Sequence, residues 1–202
     1  MEPVQKPTNN ITNVIGVLSG KGGVGKSTVS FLLAVYLKQM GYSVGVLDAD
    51  ITGPSMPRLF DITKAPTLNG TENAIEPFMT KYGIPLISMN FFLESEDKPV
   101  VWRGPLLGKA VQQLWGDVVW GDLDYLVIDL PPGTADVTLT TMQSIPLSGL
   151  VFVSTPHDLV SVIVKKTINM AESLGIPMLG IVENMSYRSE ERRVGKECRS
   201  RW

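Results

Sequence analysis

The feature that most constrains this sequence is a glycine-rich loop at residues 19–28, SGKGGVGKST. The loop follows an apolar segment typical of a buried strand, NVIGVLS, and it leads into STVSFLLAVYLKQMG, whose apolar residues recur with helical spacing. A loop of the form G-x-x-x-x-G-K-[ST] between a strand and a helix is a phosphate-binding loop, or P-loop. The sequence therefore predicts an α/β fold that binds a nucleotide, and a glycine-rich turn without a ligand is the weaker alternative.

The loop predicts a distinct role for each kind of group within it. Backbone N–H groups from Gly22 to Ser27 converge on phosphate oxygens, helped by the positive end of the following helix. The Lys26 ammonium reaches the β- and γ-phosphates, and the Ser27 hydroxyl binds Mg²⁺. The predicted nucleotide-binding residues of the loop are Gly20, Lys21, Gly22, Gly23, Val24, Gly25, Lys26, Ser27 and Thr28.

Aspartates end two other predicted strands, where a P-loop protein needs a carboxylate for its Mg²⁺ shell and its attacking water. Asp129 ends DYLVID, the position of a Walker B aspartate. Asp48 and Asp50 end VGVLDAD, and the two-residue period of a strand puts both on one face. One of them could bind the metal shell while the other positions water. The alternative is that these aspartates only cap turns after strands.

The rest of the chain alternates apolar runs with segments of helical period, as βαβ units do. Further strands are predicted in YSVGVLDAD, GLVFVSTP and PMLGIVENM, each bounded by turn residues, and a helix is predicted over HDLVSVIVKKTINMAESLG. Residues 61–105 are irregular, with a strand at 85–89 and a helix following at 105–115. We expect an α/β P-loop NTPase with a mostly parallel sheet flanked by helices on both faces, truncated at its C-terminus.

Composition narrows the classes of partner and ligand. A net charge of −2 and a pI near 5.5 argue against nucleic acid, whose phosphates need a clustered basic surface. No apolar run approaches the ~20 residues of a membrane-spanning helix, and the N-terminus does not resemble a signal peptide, so a cytoplasmic protein is expected. One cysteine and one histidine are too few for a zinc site or a disulfide within one chain.

Five motifs in order, KGGVGKST, DADITGPSMP, VVWRGP, DYLVIDLPPGTAD and GIVENMSY, resemble the Mrp family of ATPases, the iron–sulfur cluster carriers. That family belongs to the deviant Walker A group with MinD, ParA and the nitrogenase iron protein. The resemblance covers residues 13–187. It implies a homodimeric, slow ATPase that uses ATP and Mg²⁺ and transfers iron–sulfur clusters to apo-proteins.

The resemblance also implies roles for individual residues. Lys21, the early lysine, reaches the nucleotide of the partner subunit, and Asp50 positions the hydrolytic water. Asp48 and Asp129 serve the Mg²⁺ shell. Asn184 reads the adenine edge, although the residues alone favour a strand-end turn residue there. The implied catalytic set is Lys21, Lys26 and Asp50.

The last fifteen residues, RSEERRVGKECRSRW, break the α/β pattern. A coding of this stretch that begins AGATCGGAAGAGC resembles the start of a common sequencing-adapter oligonucleotide, so we expect a non-native tail; a natural basic tail is the alternative. The family's C-x-x-C pair after ENMSY is missing here, so Cys198 is not expected to bind a cluster. The expected organisation is a flexible arm at 1–13, a P-loop ATPase domain at 14–187 that is incomplete at its C-terminal end, and the tail at 188–202.

Rival functions make different demands on the sequence. A MinD-like membrane-positioning ATPase needs a basic amphipathic helix, which the tail does not form because it has no apolar face. A ParA-like DNA partitioner needs a basic patch, against the charge balance. A nucleotide-dependent scaffold without cluster chemistry remains open. The loops ITGPSMP and LPPGTAD are candidate switches beside the γ-phosphate. No chemistry is assigned to Trp102–Pro105 or to His157.

Overall fold

The computed structural model describes residues 9–50, 55–62, 70–71, 74–92, 104–133, 136–156 and 162–186. The helices are α1 (Lys26–Gln39), α2 (Ser55–Leu59), α3 (Gly104–Gly116), α4 (Asp136–Ser144) and α5 (Val162–Ser173), with a 3₁₀ turn at Met89–Phe92. The strands are β1 (Asn10–Ser19), β2 (Val44–Asp48), β3 (Gly70–Thr71), β4 (Ala74–Ile75), β5 (Phe78–Met79), β6 (Pro85–Ser88), β7 (Asp122–Asp129), β8 (Gly149–Ser154) and β9 (Met178–Glu183). None of the helices in these ranges is both long and apolar enough to cross a membrane.

Seven strands form one sheet in the order β5-β6-β2-β7-β1-β8-β9. All neighbouring pairs in this sheet are parallel except β5 with β6, and β3 and β4 form a separate antiparallel pair. The central strand β1 lies between β7 and β8, so the loop that follows β1 emerges beside the carboxyl ends of both. The mostly parallel sheet predicted from the sequence is confirmed, and this order positions the site.

Helices cover both faces of the sheet, as predicted. On one face, Ala34 of α1 and Phe60 just after α2 pack with Val17, Val46 and Val127 in one apolar core. On the other face, residues from α3, α4 and α5 pack against the sheet in a second core, among them Val111, Leu114, Met142, Val164 and Ala171. Burial on both faces explains why β2 and most of β7 are continuously apolar.

Helix α1 forms where its periodicity predicts it, and half of its apolar stripe is buried: Val29, Leu33 and Leu37 pack against the core. The other half of the stripe is exposed. Leu32, Tyr36 and Met40 are 56%, 61% and 57% exposed. The buried positions are Lys26, Ser30 and Ala34, one helical turn apart. Because the small side chains of Ser30 and Ala34 face the sheet, the helix can pack close to it with its first turn over the ends of the strands.

Strand β9 differs from the expectation of a strand covered on both faces. It lies at one edge of the sheet, and Leu179 and Ile181 are 56% and 51% exposed. Within the part of the chain that the structure describes, no strand pairs with its outer edge. The opposite edge strand, β5, is only two residues long. The apolar run predicted the strand correctly but not its position in the sheet.

Candidate functional site

The glycine loop connects β1 to α1 at the carboxyl edge of the sheet. Gly23 and Gly25 have φ angles of 82° and 87°, a left-handed conformation that glycine adopts without steric cost. Val24, between them, is only 2% exposed and packs in the core on the α1 face. The loop is therefore anchored at one side chain while its glycines leave the backbone accessible. The N-cap residue of α1, Gly25, makes no side-chain capping hydrogen bond, and the first N–H groups of a helix favour an anion.

Lys26 carries a buried positive charge at the start of α1. Its Nζ lies 3.2 Å from Asp50 Oδ2 and 2.9 Å from Asp129 Oδ1, and the residue is 6% exposed. Neither contact has hydrogen-bond geometry, and Nζ has no hydrogen-bond partner among the residues that the structure describes. A buried ammonium whose donors are unsatisfied is poised for an acceptor with several oxygens, such as a phosphate.

Asp129 lies at the end of β7 and is fully buried. Its Oδ2 accepts a hydrogen bond from Ser27 Oγ at 2.6 Å, and its Oδ1 accepts one from Ser30 Oγ at 2.8 Å. Ser55 Oγ donates in turn to Ser27 Oγ at 2.9 Å. Ser30 was not predicted from the sequence, whereas Ser55 lies in ITGPSMP, a loop predicted to lie beside the γ-phosphate. Ser30 could have been found, because it lies one helical turn beyond Lys26 on the same face of α1.

Asp48 ends β2 beside Asp129 and does not itself line the pocket, and its role at the Mg²⁺ shell stays a prediction. Its oxygens accept hydrogen bonds from Ser88 Oγ at 2.8 Å and from the Asp50 N–H at 3.1 Å, and the carboxyl is fully buried. Burial away from water, and then the charge of Asp129, raise the pKa of Asp48 to about 8, against smaller opposing effects of Ser88, the Asp50 N–H and Lys26. The Asp48 carboxyl is therefore mostly protonated at neutral pH.

A pocket of about 380 Å³ opens above the glycine loop. Its lining includes residues of the glycine loop that the sequence predicted, together with Asp50 and with Ser55 and Pro132 from the two candidate switch loops. Lys21 lines this pocket and is exposed to solvent, as a residue that reaches a second subunit must be. The lining residues from the loop are Lys21, Gly22, Gly23, Gly25, Lys26, Ser27 and Thr28.

Asn184 follows β9 and touches the glycine loop from the side. Its backbone N–H donates to the Ser154 carbonyl at 2.8 Å, which extends the pairing of β9 with β8. Its Nδ2 donates to the Val24 carbonyl at 2.9 Å. The structure therefore brings Asn184 to the nucleotide loop, and its role toward adenine stays a prediction.

Several predicted features lie outside the described residues. They are the loop at 51–54, Trp102 and Arg103 of the WRGP motif, residues 134–135, His157, and the tail with Cys198. The roles and structures expected for these residues stay predictions.

The oxygen donors at the site suit a hard cation. Ser27 and Asp129 bring a hydroxyl and a carboxylate together, and Mg²⁺ prefers such ligands, completed by water and phosphate. Within the described ranges, no three or more His, Cys, Asp or Glu side chains are grouped so as to hold a metal ion. Ser27 and Asp129 thus suit a Mg²⁺ that binds together with a nucleotide. They suit less well a metal ion that is held by protein side chains alone.

Comparison with known proteins identifies the relatives of this chain. The family model of the NUBPL iron-transfer P-loop NTPases (ParA) matches residues 10–198. The iron–sulfur cluster carrier protein of Clostridium perfringens is 52% identical over 205 residues, and the iron–sulfur cluster transfer protein NUBPL of Mus musculus is 45% identical over 186 residues. These matches cover 98% and 91% of this chain, but 72% and 57% of the relatives, so the relatives contain sequence that it does not match.

A solved structure agrees with the sequence matches. The nucleotide-binding protein of Archaeoglobus fulgidus, determined in complex with ADP, is 46% identical and superposes with a TM-score of 0.77. The superposition covers 88% of this chain and 68% of that protein. The shared fold therefore includes most of the elements described above.

Proposed function

This chain belongs to the family of the NUBPL iron-transfer P-loop NTPases, and from that premise we propose that it binds and hydrolyses MgATP in the glycine-lined pocket. The observation that carries this proposal is the Lys26 ammonium, buried between Asp50 and Asp129 with its hydrogen-bond donors unsatisfied. Triphosphate oxygens supply the acceptors that the ammonium lacks, and the loop N–H groups surround the same anion.

The proposed roles follow from the position of each side chain. Lys26 moves from the carboxylates to the phosphates, and this frees Asp50, at the pocket wall, to accept a proton or hydrogen bond from the attacking water. Ser27 and Asp129 would hold the Mg²⁺, which would neutralise developing charge on the phosphates. Asp48 is proposed to support this shell from behind through Asp50 and Ser88.

We further propose that two chains act together. Lys21 is exposed at the rim of the pocket, where it can contact phosphates bound by a second copy. Such a contact forms only when nucleotide is present, so it links dimerisation to ATP. The ordered domain is proposed to span residues 14–187.

The proposed cargo of this protein family member is an iron–sulfur cluster, which the names of the relatives give for those proteins, and the proposed recipients are apo-proteins. Clusters are normally held by about four cysteine thiolates. Cys198 is the single cysteine of this sequence, so a dimer of this chain brings only two. We therefore propose that these 202 residues carry the nucleotide switch but do not hold a stoichiometric cluster.

Calorimetry with MgATP on the purified chain tests the nucleotide site. We expect binding that Lys26→Ala weakens by at least about tenfold, because a charge-assisted contact to phosphate is lost. Lys165→Ala, on the exposed face of α5, is the matched control and should bind as the parent does. Wild-type affinity in Lys26→Ala would refute the pocket assignment.

The dimer and the cargo are tested separately. Light scattering with a non-hydrolysable ATP analogue should show a dimer that Lys21→Ala weakens while nucleotide binding persists. After anaerobic reconstitution, iron and sulfide should stay well below one cluster per dimer. A full-strength cluster absorbance that Cys198→Ser abolishes would contradict the proposal about the cargo.

A further inference from the structure

One side chain links the end of the edge strand β9 to the phosphate loop. Asn184 Nδ2 donates to the Val24 carbonyl at 2.9 Å across 160 residues of sequence. The Asn184 backbone is itself held by the Ser154 carbonyl at 2.8 Å. The Asn184 amide therefore reaches the loop from a backbone fixed to the sheet.

This hydrogen bond sets the orientation of one peptide unit. In a trans peptide, the C=O and the following N–H point in opposite directions. With the Val24 carbonyl directed at Asn184, the Gly25 N–H is directed away from Asn184. Gly25 lines the nucleotide pocket, and its N–H is one of the donors expected to bind phosphate.

The fit between Asn184 and Gly25 is close. A Cβ atom added at Gly25 would lie 2.3 Å from Asn184 Nδ2, well inside van der Waals contact. Gly25 is thus required twice, by its φ of 87° and by the approach of the asparagine amide. The two residues form a matched contact between β9 and the loop.

We propose that Asn184 is a positioning residue of the phosphate site: it holds the Val24–Gly25 peptide so that the Gly25 N–H faces the bound phosphates. This inference rests on the proposed nucleotide site and deepens it. It assigns Asn184 a role in binding any polyphosphate, with or without a base. A residue that only reads adenine would have no effect on a ligand that lacks a base.

Inorganic tripolyphosphate is therefore the deciding probe. Calorimetry would compare tripolyphosphate, ATP and GTP on the parent chain and on Asn184→Ala. Losing one hydrogen bond that orients a phosphate donor should lower the affinity for all three ligands by about tenfold. The ratio of ATP to GTP affinity should not change.

Two variants serve as internal checks. Asn184→Asp keeps the size but replaces the donor with an oxygen that repels the Val24 carbonyl and the phosphates, so it should bind tripolyphosphate more weakly than Asn184→Ala. Glu183→Gln, exposed on the neighbouring position of β9, should match the parent or bind slightly better. Thermal melts of each variant separate loss of the fold from loss of the site, and Asn184→Asp carries the comparison if the alanine variant does not fold.

Three results would overturn the inference. Unchanged tripolyphosphate affinity in both Asn184 variants, together with a collapsed ATP to GTP ratio, would make Asn184 a base reader instead. Unchanged affinity for all three ligands would leave the contact structural. A parent chain that binds neither ATP nor tripolyphosphate would overturn the proposed function itself, and this inference with it.

Discussion

Three aspartates and one lysine share a small buried space at the ends of β2 and β7. Asp48 and Asp129 are register partners on neighbouring strands, and Lys26 contacts Asp129 and Asp50. A single ammonium cannot neutralise three carboxylates, and burial together with the charge of Asp129 raises the pKa of Asp48 to about 8, which lowers the negative charge of this group at neutral pH. The different positions of Asp50 and Asp48 therefore lead to a separate prediction for each.

Asp50→Asn should bind MgATP but hydrolyse it about 100-fold more slowly, because the amide keeps the size of the side chain and cannot accept a proton from water. Single-turnover hydrolysis and calorimetry on the same sample measure the two effects. Asp122→Asn, at the exposed start of β7, is the control. Unimpaired turnover in Asp50→Asn would move the role of base to another group.

Asp48→Asn should change how stability depends on pH. The Asp48 pKa is raised from 3.8 to about 8 on folding, so between these pH values the folded chain binds more protons than the unfolded chain. The free energy of unfolding therefore falls as pH rises through this window. Asparagine does not titrate, so the variant does not lose this part of its stability. Melting temperatures without nucleotide at pH 5, 6.5 and 8 should favour the variant increasingly over the parent. A difference independent of pH would contradict the assignment.

At the scale of the element, α1 shows what periodicity can and cannot predict. The apolar stripe predicted this helix correctly, and the structure divides it: Val29, Leu33 and Leu37 pack against the core, whereas Leu32, Tyr36 and Met40 are exposed. The fully buried positions of the helix include Ser30 and Ala34. The side of a helix that packs against a sheet depends on its neighbours, and hydrophobicity alone does not specify them. In α1 the phosphate site requires Lys26 and Ser30 to face inward.

Ala34→Leu should therefore destabilise the fold by about 1–3 kcal/mol, because Ala34 is fully buried and the added methylenes overpack the core. Leu32→Gln, on the exposed side of the same helix, should change stability by no more than about 0.5 kcal/mol. Urea denaturation of both variants makes the comparison. A larger loss from Leu32→Gln would mean that the exposed stripe is covered in solution.

For the whole molecule, the two edges of the sheet differ. β5 is too short to pair extensively, whereas β9, whose outer edge has no partner strand among the described residues, exposes the apolar side chains of Leu179, Ile181 and Val182. Unprotected edges of this kind pair with copies of themselves. Sedimentation without nucleotide should show association that increases with concentration and that Ile181→Lys reduces, whereas Tyr36→Lys on α1 should not. A parent chain that stays monomeric at high concentration would show that this edge is protected.

The sequence predicted the loop, the aspartates and most strands because each of these is specified within about ten residues. It did not predict the contacts of Asn184 with Val24 or of Ser88 with Asp48, which are 160 and 40 residues apart. Those contacts depend on the strand order, which places β6 beside β2 and β9 beside β8. No local pattern in the sequence specifies the order of the strands in the sheet.

The position of β1 between two later strands also has a consequence for synthesis on the ribosome. Ser27 is separated by 102 residues from Asp129, the carboxylate that it binds. At about 5–20 residues per second, the glycine loop exists for roughly 5–20 s before that carboxylate has been translated. During this interval β1 has neither of its sheet neighbours, β7 and β8, and its apolar residues must be kept from other chains. The nucleotide site is thus among the last parts of the nascent chain to form, although its defining motif is among the first to be made.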